Sequence, residues 1–590
     1  QEVVLGRGGI KMLTAMGIEP SVLHLNEGHA AFAGVEWIST LMHTNGLSFD
    51  EARLLVRAST AFTTHTPVPA GHDRFGEDLV RAYFSHVGSY LQLDWQAFLN
   101  LGRGPNPEPD EPFNMTYLAM NLAGRVNGVS RIHGAVSRRL LAGVWPALLE
   151  REFPVGSVTN GIHLGTWVQP ELAKLLGADA RTVRPADFVG GLADVGDERL
   201  WELRQGARGK LIETLRERIE RHGIQRGVPP AVLRGALAGL DPNALYIGFA
   251  RRFAPYKRAT LLFQDLQRLS AILSATDRPV RILIAGKAHP HDGRGQEMIH
   301  RIAGLCRSEA LLGKVLLLED YDMQLARTML HGVDVWLNTP TRGDEASGTS
   351  GMKAAANGAL NLSVPDGWWP EGYDGTNGWS LAEDRSYPNQ ARQDELDAAE
   401  LYRLLESEIT PAFFERDASG LPTAWLARMR RSLESLPTVF NTDRMVSDYV
   451  DFAYRDLGAA HAELAAEHQA GARRAAAELR RLSKGFANLS LHGSRVGPLD
   501  ELHAGAEVQA QLDVRLGELS PEDVVVELVL DQPDQLQTLE LTAVPQEEGL
   551  TSYVGSWKLA RAGHFGAGLR LRPSRLDLFA SAQAGLILWS

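Results

Sequence analysis

The chain has 590 residues, of which 44% are hydrophobic and 22% are charged, and its formal net charge is −12. A chain of this length is too long for one hydrophobic core, so we expect about three domains. The negative charge argues against non-specific binding to nucleic acid or to an anionic membrane. Cys306 is the single cysteine, which excludes an intrachain disulfide framework and a thiolate metal site.

The sequence shows no pattern that is typical of secretion or of membrane insertion. We find no secretory signal at the start and no run of about 20 apolar residues that could span a bilayer. The use of a single cysteine suits a reducing compartment. The sequence therefore predicts a cytoplasmic protein with no membrane partner, no nucleic-acid partner and no metal site.

Residues 1–182 mix short apolar stretches with helix-forming segments. Residues 22–25 and 61–64 are predicted strands, since each is a short β-rich run beside turn-forming or polar residues. Residues 183–240 are rich in Arg and Glu at spacings typical of solvent-exposed helix faces. We therefore expect an α/β lobe over 1–182 and a helical connecting segment over 183–240.

A repeating strand-then-helix pattern begins at residue 241 and continues to residue 455. The runs NALYIGFA, RPVRILIAG, KVLLLED, DVWLNTP and ALNLSV are short and β-rich, and helix-length segments separate them. Such alternation is typical of a doubly wound parallel sheet, which binds ligands at the carboxyl ends of its strands. Residues 241–455 are thus predicted to form a Rossmann-like domain.

The last part of the chain changes in composition. An Ala/Arg/Glu-rich helix is predicted over 456–484. Residues 485–590 alternate apolar and polar positions with period two, as in Val508, Ala510, Leu512 and Val514. This pattern predicts an antiparallel β-sandwich. Both a carbohydrate-binding role and a packing or oligomer role fit it, and we favour packing.

The most informative stretch is EASGTSGMKAAANGAL at residues 345–360. Ser347, Gly348, Thr349, Ser350 and Gly351 carry small side chains or none, so their backbone N–H groups can converge on an anion at the start of a helix. The spacing is not that of a nucleotide-binding P-loop, because Met352 and Lys353 follow Gly351. The pattern predicts a phosphate ligand other than a nucleoside triphosphate.

This stretch resembles the pyridoxal-phosphate segment of the α-glucan phosphorylases (glycogen, starch and maltodextrin phosphorylases), which reads E-A-S-G-T-x-x-M-K and then N-G-A-L. Further segments are similar to motifs of that family and follow in the same order. They are LNEGHA (25–30), TTHT (63–66), VNGVSRIH (126–133), TNGIH (159–163), RRFAPYKR (251–258), AGKAHP (285–290) and EDY (319–321). The resemblance implies a two-lobed glycosyltransferase (GT-B-like) α/β architecture, and the Trp-containing continuation after residue 360 looks like a shorter bacterial-type branch.

The resemblance also implies a cofactor, pyridoxal 5′-phosphate, and its site. The family lysine forms a Schiff base with the cofactor aldehyde, and Lys353 stands at its position. Arg252 and Lys257 would neutralise the phosphates during catalysis, and the third catalytic residue that it implies, His29, would have its backbone near the anomeric carbon. The other cofactor-binding residues that it implies are Arg251, Tyr321, Trp167, Thr349, Ser350 and Gly351, with Lys257 again among them.

The implied reaction is phosphorolysis of the terminal α-1,4-glucosyl unit of a glucan by inorganic phosphate. It proceeds with retention and gives α-D-glucose 1-phosphate. By matched position, Asn160, His29, Glu345, Ser347 and Gly348 would bind the glucosyl unit. The expected partners are therefore an α-1,4-glucan and inorganic phosphate, with homo-oligomerisation left open.

Two departures from the family follow from the same comparison of motifs. The chain begins within what resembles the middle of the family's N-terminal domain, so we expect a fragment with little turnover on its own. Asp322 stands where many phosphorylases carry an arginine on the cofactor phosphate. Either Arg342 or another cation substitutes, or the phosphate is held differently.

Two alternative functions remain open at this point. One is a glycogen or starch synthase-like transferase that uses a nucleotide sugar, which would lack the cofactor lysine. The other is a non-catalytic glucan-binding remnant, in which the sandwich and half of the site form a binding module. The complete reading frame upstream of Gln1 would distinguish a fragment from a remnant.

Overall fold

The computed structural model describes residues 1–105, 107–381, 387–497, 503–532, 535–560 and 566–590. The chain divides into two compact units. The first unit comprises Gln1–Asn127, Gly134–Gly156 and Asp451–Ser590, and the second comprises Gly128–His133 and Ser157–Val450. The five-part division expected from the sequence stays a prediction.

The N-terminal part of the chain, which belongs mainly to the first unit, is a small parallel sheet with helices around it. Its strands are β1 Leu23–Asn26, β2 Thr60–Thr63, β3 Arg74–Phe75, β4 Phe113–Asn114, β5 Arg125–Gly128 and β6 Val155–Ser157. Its helices are α1 Glu2–Ala15, α2 Phe32–Asn45, α3 Phe49–Ala58, α4 Glu77–Phe84, α5 Val87–Tyr90, α6 Trp95–Asn100, α7 Met115–Asn121 and α8 Arg131–Leu141.

The main sheet of this part has the order β1-β2-β5-β6. β1 pairs with β2 and β2 pairs with β5 in parallel register, with Leu23 opposite Thr60. The two predicted strands exist, each shifted by one residue, because each begins where this parallel pairing begins. Their carboxyl ends carry residues 27–30 and 64–66, so two of the predicted motifs lie at one edge of this sheet.

The second unit alternates strands and helices along most of its length. Its strands are β7 Leu245–Ala250, β8 Val280–Ala285, β9 Val315–Leu318, β10 Val335–Asn338, β11 Leu360–Ser363 and β12 Gly378–Ser380. Its helices are α9 Leu164–Trp167, α10 Pro170–Leu175, α11 Pro185–Ala193, α12 Asp197–Gln225, α13 Pro230–Ala238, α14 Leu266–Ser274, α15 Gly293–Cys306, α16 Met323–Gly332, α17 Thr349–Ala355, α18 Trp369–Gly372, α19 Gln390–Leu404, α20 Thr410–Phe414, α21 Thr423–Ser435 and α22 Thr442–Tyr449.

The six strands of this unit form one parallel sheet in the order β12-β11-β10-β7-β8-β9. Every residue of β7, β10 and β11 is buried, as is usual where helices cover both faces of a sheet. The order of the strands reverses between β7 and β10, as it does in a dinucleotide-binding fold. The predicted doubly wound sheet is confirmed, and its ligand site is expected at this reversal.

The C-terminal part of the first unit contains a long helix and two antiparallel sheets. The helices are α23 Arg455–Ala487 and α24 Leu578–Gln583, and the strands are β13 Ser490–Gly497, β14 Glu507–Arg515, β15 Val524–Asp531, β16 Leu536–Glu540, β17 Thr542–Pro545, β18 Leu550–Lys558, β19 Gly566–Pro573 and β20 Leu588–Trp589. The backbone of α23 leaves the helical conformation between Ala466 and Gln469.

The two antiparallel sheets have the orders β13-β14-β18-β17 and β16-β15-β19-β20. Their inward side chains form one hydrophobic cluster, to which Leu482 and Phe486 of α23 also belong. Val508, Leu512 and Val514 are buried, as their alternation predicts. The sandwich prediction is confirmed. None of the helices in the described part of the chain is long and apolar enough to cross a membrane.

Candidate active site

The predicted site residues of the second unit follow the carboxyl ends of its sheet. Arg251 and Arg252 come directly after β7, Tyr321 follows β9, and the loop that carries Glu345 follows β10. Parallel strands place their carboxyl ends at one edge of a sheet, so these segments share that edge. The loops after β7 and β10 meet where the strand order reverses, as expected for a ligand site.

A buried ion cluster joins these two loops. Oε2 of Glu345 lies 2.9 Å from Nη2 of Arg251 and 2.5 Å from Nζ of Lys257. All three side chains are at least nine-tenths buried. Arg251 also donates to Oδ1 of Asn338 at the end of β10. One carboxylate therefore holds two cations at the switch point of the sheet.

Burial and the charges of neighbouring groups shift the pKa values of Lys257 and Glu345. Burial and the neighbouring Arg251 charge lower the pKa of Lys257 to about 8, against the opposing effect of Glu345. Burial alone would raise the pKa of Glu345, but the charges and hydrogen bonds of Arg251 and Lys257 hold it below its usual value. Lys257 is thus a cation that can give up a proton near neutral pH.

Asp366 organises the loop from the other side, and the sequence analysis did not single it out. Its Oδ2 accepts hydrogen bonds from the backbone N–H groups of Gly343 at 3.0 Å and Glu345 at 2.9 Å. Its Oδ1 accepts one from Gly367 at 2.8 Å. Asp366 is buried, and burial raises its pKa to about 7. Asp366 therefore holds the loop backbone in the conformation that directs the Glu345 carboxylate toward Arg251 and Lys257.

Lys353 lies on α17 beside an aromatic wall. Its Nζ is 4.0 Å from the ring centroid of Trp167, and burial lowers its pKa. Among the described residues it has no carboxylate partner. Asn357 fixes both residues, since its Nδ2 donates to the backbone oxygens of Trp167 and of Lys353. The predicted pair of Lys353 and Trp167 is therefore brought together, with the amine partly desolvated.

The small-residue loop that precedes Lys353 is tightly packed. Gly348 has a φ of +83°, a conformation that favours glycine. A Cβ on Gly351 would lie 2.5 Å from Oδ1 of Asn361. The hydroxyl of Ser350 accepts from Nε1 of Trp336 at 3.1 Å. The buried hydroxyl of Ser347 finds no hydrogen-bond partner within the described residues, so it is available to a ligand.

Two further predicted site residues of this unit, Arg252 and Asn160, are less buried. Arg252 is exposed and donates only to Oη of Tyr256, at 3.4 Å. Its guanidinium makes no ion pair in the part of the chain that the structure describes. The backbone of Asn160 is held by Val129 and Arg444, while its side-chain amide bonds to none of the described residues. Both side chains can therefore accept new partners.

Asp322 has a structural role in place of the family arginine. Its Oδ1 accepts from the backbone N–H of Leu325 at 2.7 Å and so caps α16. Its Oδ2 accepts from Arg218 at 2.9 Å. Burial raises the pKa of the adjacent Tyr321. Arg342, which the sequence suggested as a substitute cation, donates to the backbone oxygen of Leu381.

Two basic residues of α12 and the arginine that follows its last residue hold the turn around Tyr321. Arg218, His222 and Arg226 are spaced four positions apart and lie within 3.3 Å of Asp322, Asp320 and Glu319, respectively. Spacing of four places side chains on one helix face. The turn that carries Tyr321 is therefore bound to the C-terminal end of α12 by two arginine ion pairs and by the His222–Asp320 contact. We call these three contacts the α12 clamp.

His29 lies in the first unit, after β1. Its neighbour Glu27 has a φ of +69° and accepts at 3.0 Å from the backbone N–H of His65, which follows β2. Nε2 of His65 lies 3.3 Å from Oδ1 of Asn26. Burial raises the pKa of Glu27 and lowers that of His65. The predicted LNEGH and TTHT motifs thus form one polar cluster in this unit.

Comparison with known proteins shows which family the chain resembles. The sequence pattern of the family described as carbohydrate phosphorylase matches residues 18–369, and that of the glycogen phosphorylase C-terminal domain matches residues 491–590. A glycogen phosphorylase of Mycobacterium tuberculosis is 37% identical over all of this chain and 70% of its own length. A maltodextrin phosphorylase of Thermococcus litoralis is 41% identical over 90% of this chain and 61% of its own length.

These matches, together with the parallel sheet and the Glu345 cluster, define a glycosyltransferase of the phosphorylase class. The chain belongs to the carbohydrate phosphorylase family. The family and fold-class predictions are confirmed. The alternative of a nucleotide-sugar synthase is not favoured, because the matches over most of the chain are to phosphorylases.

Proposed function

We propose that this chain carries the catalytic machinery of an α-glucan phosphorylase with pyridoxal 5′-phosphate attached at Lys353. The observation that carries the proposal is the buried cluster of Arg251, Lys257 and Glu345 at the switch point of the sheet. The named functions of the relatives support the choice of a glycogen or maltodextrin substrate. The acceptor of the glucosyl unit would be inorganic phosphate.

The residues present fit the cofactor. Attachment of an aldehyde needs a neutral amine, and burial lowers the pKa of Lys353 toward that form. Trp167 offers a ring face beside the amine at 4.0 Å. Tyr321, Thr349, Ser350 and Gly351 would complete the site, with Arg251 and Lys257 as the nearby cations. When bound, the group supplies a phosphate whose second pKa, near 6, allows proton exchange at neutral pH.

The proposed reaction breaks the bond between the terminal anomeric carbon and the oxygen that links it to the chain. A phosphate oxygen forms the new bond to that carbon, and the leaving oxygen takes a proton from the attacking phosphate. Arg252 would bind phosphate oxygens with its planar guanidinium, because this side chain has no carboxylate partner among the described residues. Lys257 would add a point charge.

Other side chains would bind the sugar and hold protons. The unpartnered hydroxyl of Ser347 and the amide of Asn160 would hydrogen-bond glucosyl hydroxyls, as would Glu345 and His29. Glu345 is a ready acceptor, since its two cations keep it ionised. The Nζ of Lys257, with a pKa of about 8, would hold a shared proton next to the phosphate.

The test is an assay of glucose 1-phosphate release from maltodextrin, dependent on added phosphate, by the protein expressed from its complete reading frame. Arg252→Ala or Lys257→Ala should lower turnover by roughly 10²-fold, on the order of 3 kcal/mol of transition-state stabilisation. Lys257→Arg should also lower turnover, because a planar guanidinium group cannot replace the compact charge of an ammonium group. Arg234→Ala, an exposed cation of α13, is the matched control.

Two results would contradict the proposal. One is near-normal phosphorolysis in Lys257→Ala. The other is glucosyl transfer from a nucleotide sugar without any phosphate dependence, which would revive the synthase alternative.

A further inference from the structure

The first unit contains a polar pocket that the proposed reaction does not use. It has a volume of about 390 Å³, which is within the size range of small-molecule sites. Its walls come from α3, from residues 97–105, from the loop at 144–147 and from residues 582–587. Three arginines line it: Arg53, Arg57 and Arg103. We call it the arginine pocket.

Two of these arginines share one helix face and form no ion pair in the described part of the chain. Arg53 and Arg57 lie four positions apart on α3, which places them on one face of the helix, where like charges repel. Neither side chain makes an ion pair within the described residues. Burial and the neighbouring Arg53 charge lower the pKa of Arg57 to about 10, against a weaker opposing effect of Asp577. Burial likewise lowers the pKa of Arg53, against Asp50.

The third arginine is buried and only partly satisfied. Arg103 is 4% exposed, and its Nη2 reaches Oε2 of Glu77 at 3.4 Å, a long contact. Its buried Nε has no hydrogen-bond partner within the described residues. A buried donor without a partner is costly to stability. The pocket thus brings together two arginines that form no ion pair among the described residues and a third whose buried Nε is an unused donor.

We propose that the arginine pocket binds a small phosphorylated anion, with its phosphoryl group on Arg53, Arg57 and Arg103. Guanidinium groups match phosphate oxygens in geometry and charge, which makes arginine clusters typical of phosphate recognition. Trp145 and the amide of Gln583, which also line the pocket, would contact the organic part. This binding site is separate from the residues assigned to phosphorolysis, and its existence does not depend on that activity.

Calorimetric titration tests the proposal in the complete protein. The probes are ribose 5-phosphate and inorganic phosphate, with ribose as the uncharged control. The titrations use an Arg252→Ala and Lys257→Ala background, so that the proposed active site binds little phosphate. Ribose 5-phosphate should bind, and Arg53→Gln or Arg57→Gln should weaken it by about tenfold each, as expected for the loss of one charge-assisted hydrogen bond. Arg139→Gln, an exposed arginine of α8, should bind as the background protein does.

Comparison of the probes identifies the source of the phosphate group. Tighter binding of ribose 5-phosphate than of inorganic phosphate supports an organic ligand, and equal binding supports a site for the phosphate group alone. Either result supports recognition of a phosphate group by this pocket if the Arg53 and Arg57 variants weaken the binding. The proposal is overturned if neither probe binds at millimolar concentration, or if the Arg53 and Arg57 variants bind like the background.

A second measurement uses the unaltered protein and therefore tests the proposal even if the arginine variants fail to fold. An arginine-specific dicarbonyl reagent should modify Arg53 and Arg57 in the unaltered protein, because their lowered pKa values favour reaction. Ribose 5-phosphate should protect both positions, as read by peptide mapping, while Arg139 should be modified equally with and without the probe. Modification of Arg53 and Arg57 that the probe leaves unchanged would contradict binding in this pocket.

Discussion

Nζ of Lys257 lies 2.5 Å from Oε2 of Glu345, although the two residues are 88 positions apart in the chain. Lys257 follows β7 and Glu345 follows β10, so the contact spans the point where the strand order of the sheet reverses. Arg251 shares the same carboxylate oxygen. Among the described residues, Glu345 is therefore the only carboxylate that forms an ion pair with these two buried cations of the proposed phosphate site.

Replacing Glu345 tests this dependence. Glu345→Gln leaves two buried cations without a counter-charge, so the free energy of unfolding should fall by about 3 kcal/mol. The loss should appear in urea unfolding monitored by tryptophan fluorescence. Glu395→Gln, which removes an exposed carboxylate of α19, should change stability little. Equal stability of Glu345→Gln and the unaltered protein would show that the cluster does not support the fold.

Cofactor attachment can be mapped directly. Borohydride reduction in the presence of pyridoxal phosphate should leave a pyridoxyl group on Lys353, because its amine is partly desolvated and has no carboxylate partner in the described part of the chain. Peptide mapping by mass spectrometry identifies the modified lysine. Lys353→Ala should lose the group, whereas Lys174→Ala, on an exposed lysine of α10, should keep it. Attachment at any other lysine would refute the assignment.

Asp366 should give the stability a distinct dependence on pH. Burial raises its pKa from the ordinary 3.8 to about 7, so the folded state binds this proton more tightly than the unfolded state. Its contribution is fully present below the unfolded pKa and is lost as pH rises through about 7. The free energy of unfolding, relative to that of Asp366→Asn, should therefore decrease between about pH 4 and pH 7.

Denaturant unfolding at a series of pH values measures this difference. Asp194→Asn, on an exposed carboxylate of the same unit, is the control and should give a flat difference over the same range. A difference that rises with pH for Asp366→Asn would mean that the three N–H donors outweigh burial.

The α12 clamp should control how firmly the proposed cofactor is held, since the clamp fixes the turn that carries Tyr321, a residue proposed to complete the cofactor site. Asp322→Asn keeps an N-cap acceptor for α16 but loses the charge that pairs with Arg218. Arg218→Gln removes the other partner. Each single variant should release pyridoxal phosphate several-fold faster on dilution, followed by cofactor fluorescence. The double variant should be no worse than Arg218→Gln alone, because that change already breaks the pair with Asp322.

Arg216→Gln is the control for the clamp, because this residue is exposed on α12 and makes no ion pair within the described residues. Its release rate should equal that of the unaltered protein. Additive effects of Arg218→Gln and Asp322→Asn would show that the two residues act independently.

Much of the fold could be predicted because the patterns that indicate it lie within short stretches of the sequence. Apolar strands of four to six residues separated by helix-length segments indicate a parallel sheet before any contact is known. The period-two pattern around Leu512 likewise predicts a half-buried strand. The stretch from Glu345 to Lys353 was informative because the order of its residues is itself the motif. The placement of Arg251 and Glu345 at strand ends followed from the same alternation.

Other parts of the site could not be predicted. Asp366 lies between Pro365 and Gly367 in a stretch with no periodicity, and its role depends on three N–H groups that the folded loop brings together. Asp322 could be recognised as a departure from the family pattern, but its pairing with Arg218 joins positions 104 apart. Such pairings depend on helix packing, which the local sequence does not encode.

The sequence by itself thus determined the parallel sheet, the sandwich, the family and the lysine proposed to carry the cofactor. Only the tertiary structure decided which charges are paired, which are buried and which have no partner. Arg53, Arg57 and Arg103 look like ordinary surface arginines in the sequence, and they line one pocket only after folding. The reason is physical, because propensity and motif act along the chain, whereas electrostatic interaction and burial depend on distances in space.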